Sequence, residues 1–127
     1  MHWTGWVVVA LVAIVGGWML FDGIHALVTG DYVTPGSGEH AGQLGPWAQA
    51  VSGAGLEPRS LPVKLVFVGY ASVYLAAGAA YGASVQGAWW AVLVLAVLGL
   101  WYLPFGTVAG LAVIALLLTP SLRTAAP

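Results

Sequence analysis

Asp22 and His25 stand three residues apart, so on a continuing helix they share one face, with Trp18 one turn below. Asp31, Glu39 and His40 follow before the next long apolar stretch begins. Carboxylates and imidazoles in such a cluster can hold a divalent metal, bind the polar end of a ligand or carry a proton. The spacing matches no metal motif, and neither HExxH nor Glu-x-x-His occurs in the chain. The competing reading is structural, with these groups hydrogen-bonding a loop where it leaves a helix. Asp22 is the sharpest candidate because it sits where an apolar segment meets the polar loop. Desolvation there would raise its pKa, and a cationic partner such as Lys64 or Arg59 would hold it down.

A second pattern lies further along. Phe67, Tyr70, Tyr74 and Tyr81 recur at i, i+3, i+7 and i+14, which is one helical face, and most of the intervening residues are Gly or Ala. Such a stripe can line a cleft for a flat hydrophobic ligand such as a lipid, a sterol-like molecule or a quinone. It can equally be packing, with tyrosines filling space against facing glycines. The candidate ligand-binding set is therefore Trp18, Asp22, His25, Trp47, Lys64, Phe67, Tyr70 and Tyr74. No metal, cofactor or catalytic residue is assigned, and the chain is expected to be non-enzymatic.

The elements that must position these residues follow from the distribution of charge. Lys and Arg together number three and Asp and Glu four. All but Arg123 lie between residues 22 and 64. The hydrophobic fraction is 61%, the charged fraction 6% and the mean hydropathy +0.95, where a soluble domain carries roughly 25% charged residues. An ionised side chain in hydrocarbon costs several kcal/mol, so this is the composition of an integral membrane protein. Three basic residues cannot make the stripe that nucleic-acid binding needs, nor a polybasic patch for anionic lipids. Without cysteine there is no thiol redox chemistry or thiolate metal site. The first apolar stretch lacks the basic n-region of a signal peptide and is expected to be a span.

The expected fold is all-α, a single four-transmembrane-helix bundle with a long polar loop between its first two helices. Spans are expected at about 3–28, 61–83, 87–103 and 105–119, with a loop over 29–60. Gly30 should end the first helix, and Ser60 with Pro62 should begin the second. The apolar run from Ala88 to Thr119 would measure nearly 50 Å as one helix, against a hydrocarbon core of ~30 Å. Leu103-Pro104-Phe105-Gly106 supplies the break, with a re-entrant hairpin as the alternative. Four spans place Trp3, Trp6, Tyr81, Trp89 and Trp90 at one interface, and Trp18, Trp47, Trp101, Tyr102 and Phe105 at the other. Within the loop, about 45–52 reads as a short interfacial helix, with Pro46 in its first turn and Trp47 as anchor or as part of a cap over the bundle mouth.

Both termini are expected on one side of a bacterial or archaeal cytoplasmic membrane. Arg59 and Lys64 against Arg123 leave sidedness open. Gly78-x-x-x-Gly82 and Gly106-x-x-x-Gly110 fit the small-xxx-small rule for close helix approach. The partners these features suggest are the lipid bilayer, a second copy or another membrane protein, and a hydrophobic ligand.

Phe21-Asp22-Gly23-Ile24, the segment Tyr32-Val33-Thr34-Pro35, and Leu44–Lys64 leading into the second span together give a layout that resembles DoxX-like and EXPERA-type small four-span membrane proteins. The resemblance covers roughly residues 15–70 and is one of topology. It implies a four-span architecture, and it sets Asp22 against the first of two acids that help EXPERA-type members bind or protonate sterol-like ligands. The second span here has Gly69-Tyr70 and no acid, so isomerase chemistry is not implied.

Overall fold

A computed structural model describes residues 2–32, 44, 46–102 and 105–124. The described residues are helical with turns between, and no strand occurs among them. In chain order the helices are α1 (Trp3–Thr29), α2 (Pro46–Gly53), α3 (Leu61–Gly82), α4 (Ala88–Leu98), α5 (Phe105–Leu117) and α6 (Pro120–Arg123).

α1 and α3 are the two helices long and apolar enough to cross a membrane, with mean hydropathies of 2.2 and 1.6 over their best windows. α1 has no proline to interrupt it, and it ends where Gly30 turns left-handed (φ 95°) and returns its N–H to the Ala26 carbonyl. α3 carries Pro62 in its first turn, where the missing N–H has no intrahelical partner anyway. Ser60 takes the extended N-cap conformation without its hydroxyl making a capping bond.

α4 is shorter than the sequence pattern suggests. It ends at Leu98, and the chain continues to Tyr102 in three-residue turns, Leu100 N–H to Val97 and Tyr102 N–H to Gly99. Two effects meet at that end. Gly99 weakens the last turn, and the Tyr70 hydroxyl of α3 donates to the Leu95 carbonyl beside it. Leu103 and Pro104 lie outside the described residues, as do Met1, 33–43, Gly45 and 125–127.

α1 packs along α3 and against α5, while α4 packs against α3 and α5, so the four helices form a closed ring. The α1–α3 pairing is antiparallel. At one end Trp6 and Val9 lie against Gly82, and at the other Gly23 lies against Phe67 and Val68. Glycines let these backbones approach closely. A Cβ on Gly78 would stand 2.7 Å from a Val12 methyl, and one on Gly23 would stand 2.9 Å from the Phe67 Cβ. Gly110 faces Leu100 and the Ala96 carbonyl in the same way. The glycine pairs singled out in the sequence thus serve packing inside this chain.

The core falls into two clusters. Near the chain's beginning, Val8, Val12, Tyr74, Tyr81, Trp89, Val92, Val113 and Leu117 pack together. The Trp89 indole N–H is satisfied there by the Leu117 carbonyl at 3.0 Å, tying the start of α4 to the end of α5. Toward the long loop, Val15, Met19, Tyr32, Trp47, Phe67 and Tyr102 form the other cluster.

Gly78→Val should cost about 1–3 kcal/mol of stability by overpacking against Val12. Gly17→Ala should be neutral or stabilising, because an added Cβ there meets nothing within 4 Å. Thermal unfolding of both variants in one detergent checks the contrast, and equal melting temperatures would contradict the close-approach account.

Candidate functional site

The loop-side end of the bundle brings together residues from α1, α2, α3 and the turn after α4. Asp22 projects from α1 into this end and is 4% exposed, the single charged residue buried among the described residues. His25, three residues on, is half-buried and turns to the rim instead, its Nδ1 2.8 Å from the Asp31 carbonyl oxygen. The helical spacing sets the two side by side, and the fold sends one inward and the other outward.

Around the rim a polar clasp joins the end of α1 to the start of α3. Lys64 Nζ donates to the Gly30 carbonyl at 2.8 Å, a C-terminal carbonyl that the helix itself cannot satisfy. Arg59 Nε donates to Asp31 Oδ1 at 2.9 Å, and the Tyr32 N–H donates to the same oxygen at 2.8 Å. Partial desolvation acts to raise the Asp31 pKa. The Arg59 and Tyr32 hydrogen bonds, with the charges of Arg59 and Lys64, outweigh it and leave the carboxyl below its ordinary value.

Behind the clasp lies an aromatic plug. The Trp47 ring of α2 is 4.6 Å from Phe67 and 4.9 Å from Tyr32, centroid to centroid, with Trp101 and Tyr102 at 6.3 and 6.2 Å. Trp47 is buried, so α2 is held by inserting this side chain among the other rings. The Tyr32 hydroxyl is buried in the same cluster and has no hydrogen-bond partner. Burial, followed by the negative charges of Asp22 and Asp31, raises its pKa well above the usual phenol range, so it stays protonated.

The remaining candidates are Tyr70, Tyr74 and Trp18. The Tyr70 and Tyr74 rings lie 5.5 Å apart, tilted by 38° to one another. The space left beside them, next to Met19 and Gly106, is about 10 Å³, room for one water at most. Trp18 is 43% exposed and fronts a different feature. This is a lateral groove of about 690 Å³ between α1 and α5, lined by Leu11, Ile14 and Trp18 on one side and Val108, Ala109 and Ala112 on the other, with Tyr102 at one end. No polar atom is exposed to it. The Trp18 side chain interacts with the Tyr102 hydroxyl.

Tyr32, Trp101 and Tyr102 complete the mouth and were not among the sequence-derived candidates. Their signal was their aromatic character beside the polar window, which reads equally well as an interfacial belt. No group of three or more His, Cys, Asp or Glu poised for a metal occurs among the described residues. Glu39 and His40, which the sequence adds to the possible metal set, lie outside them.

Fold and site together define an all-helical protein with two helices long and apolar enough to cross a membrane, and a buried carboxylate under an aromatic plug. Comparison with protein-family models, curated proteins and solved structures found no match to this chain.

Trp47→Ala should destabilise the protein by about 3–5 kcal/mol, and Trp47→Phe by less, as read by thermal unfolding. An unchanged melting temperature in Trp47→Ala would show that the plug does not hold α2. The Asp31 carboxyl has a depressed folded-state pKa, so its contribution is present above the unfolded value near 4 and lost as pH falls through the folded one. Both partners of the Arg59 pair are 45% exposed, so the effect should stay below about 1 kcal/mol. The stability difference between the natural protein and Asp31→Asn should therefore shrink as the pH falls below about 4.

Proposed function

We propose that this chain is a four-span integral membrane protein with a non-enzymatic, packing role, associating with a second copy or another membrane protein through the outward face of α3. The observation that carries the reading is the composition of that face. Gly69, Ser72, Ala76 and Ala79, with Ala83 at the C-cap, are all exposed and recur at three- and four-residue intervals along one side of the helix. Helices that meet only lipid gain nothing from small side chains, whereas helices that meet helices use them to bring backbones together. The paired glycines already face inward, so this stripe is left over for a neighbour.

Four spans are supported by the apolar surface and by the antiparallel ring. Ile14, Val28, Val73, Trp90, Val108 and Leu111 are each more than half exposed. A surface of that kind is stable against lipid or another apolar partner and costly against water. α4 and α5, with 11 and 13 residues, measure about 16 and 20 Å as regular helix. Their flanking turns and local thinning of the bilayer would make up the rest of a crossing. The resemblance of layout to DoxX-like and EXPERA-type proteins is a further reason to read four spans.

The absence of native cysteine makes single-cysteine chemistry clean. Four spans predict that Thr4→Cys, Ser84→Cys and Ser121→Cys react with an impermeant maleimide from one side of the membrane and Ser52→Cys from the other. Four spans also put the turn after α4 on the Ser52 side, so protection of Leu100→Cys from that side would favour a re-entrant hairpin. The packing role predicts that Ser72→Cys forms a cross-linked dimer, or a cross-link to one partner, in native membranes. Ala76→Leu in that background should reduce the product by roughly tenfold, a change of about 1.4 kcal/mol. Only monomer by cross-linking and by native mass spectrometry in several mild detergents would sink the reading.

A further inference from the structure

We propose that α2 is a lid over the mouth of the bundle, latched by Trp47, whose lifting admits water to the Tyr32 hydroxyl and the Asp22 carboxylate. The lid stands apart from the packing role proposed for α3 and does not depend on it.

α2 is attached lightly. Its buried residues, Trp47, Ala48 and Val51, make one narrow face, and only the first is large. Gln49, Ala50 and Ser52 are exposed. The long helices pack along one another, whereas α2 runs along none of them. A helix of eight residues is marginal by itself. What holds it is therefore the Trp47 ring against Tyr32 and Phe67. The far end of α2 is not packed down. A gap of about 300 Å³ is lined by Ala50, Ala54 and Leu56 of this segment and by Val63, Val66 and Trp101 of its neighbours. A close-packed cap would leave no such space. Residues 53–57, which lead toward α3, are exposed throughout. A Cβ on Gly53 or Gly55 would meet nothing within 4 Å. Among the described residues, lifting α2 breaks the contacts of its inward face and little else.

The closed state holds opposed terms. Burial of the Trp47 ring favours it, but closure also keeps two polar groups from water. Tyr32 meets Trp47 at 4.9 Å, and its hydroxyl is buried with no hydrogen-bond partner. Such a hydroxyl is unfavourable while it stays dry and is satisfied once water reaches it. Asp22 is 4% exposed and acts electrostatically on the same phenol, so carboxylate and hydroxyl lie under one cover. Trp47 itself loses less by leaving than a wholly apolar ring would, because an indole suits the boundary between bilayer and water. Opposition of this kind keeps the open state within reach, and lids are drawn from segments that open while the core stays folded. Opening lets the carboxylate exchange protons with water or meet a ligand, and closing denies both.

The chain has no cysteine, so single cysteines in purified protein in mild detergent report the opening. Ala48→Cys lies on the inward face of α2, Ser52→Cys is exposed, and Ala71→Cys is buried in α3. A water-soluble maleimide should label Ala48→Cys more slowly than Ser52→Cys, yet roughly tenfold or more faster than Ala71→Cys. Trp47→Phe should speed labelling of Ala48→Cys several-fold and leave Ala71→Cys unchanged. It should also speed modification of Asp22 by a water-soluble carbodiimide, located by mass spectrometry. Equal rates at Ala48→Cys and Ala71→Cys would show that α2 leaves only when the bundle unfolds, and the lid would fall. Labelling of Ala48→Cys as fast as Ser52→Cys would show that there is no closed state to open. Faster labelling of Ala48→Cys in Trp47→Phe with no change at Asp22 would overturn the access to the carboxylate. If Trp47→Phe fails to fold, the three cysteine rates in the otherwise natural chain decide alone.

Discussion

The antiparallel contact between α1 and α3 is the constraint on which the remaining architecture depends. It is close because glycine stands wherever the two backbones cross, with Val12 lying over Gly78, Leu75 over Gly16 and Phe67 over Gly23. Non-directional apolar burial cannot choose a register between two helices this uniformly hydrophobic. Knobs that fit only against a missing Cβ can. Fixing that register places Asp22 beside the first turns of α3 and Trp6 beside its last, and so defines a polar mouth and an apolar base.

From the register follow the two cores and their different chemistry. At the base, valines and leucines pack around Tyr74, Tyr81 and Trp89, whose indole proton finds the Leu117 carbonyl. At the mouth, five aromatic rings from four segments converge over one carboxylate. Rings that meet edge to face pack closely enough to exclude water. The mouth therefore keeps Asp22 in low dielectric, while the Asp31, Arg59 and Lys64 clasp stays outside in solvent. A single loop thus supplies both the plug, through Trp47, and the clasp, through Arg59.

Much of this was legible in the sequence. Gly30 and Pro62 mark helix ends because their backbones leave few alternatives, and the lack of charge outside the central window delimits the apolar helices. Asp22 was legible as a candidate because an acid at the end of an apolar run is unusual whatever the fold. The end of α4 at Leu98 was not, since Gly99 and Tyr70 lie far apart in the sequence and act together only through space. The tyrosine stripe shows the same limit. Periodicity places Phe67, Tyr70 and Tyr74 on one face, but whether that face lines a cleft or fills one depends on what stands opposite. Here Met19, Val15 and Tyr102 stand opposite, and almost no space remains.

By itself the sequence determined that the protein is helical and apolar, where its polar window lies, and which residue types are available for chemistry there. Composition and local backbone preference suffice for that, because they act residue by residue. Only the tertiary structure decided that Asp22 is buried while His25 serves the rim, and that the paired glycines pack inside the chain while an outward stripe stays open. The open groove lies between α1 and α5 and not along the tyrosines. Those outcomes depend on which side chain fills which gap, a property of two surfaces at once that neither segment carries alone.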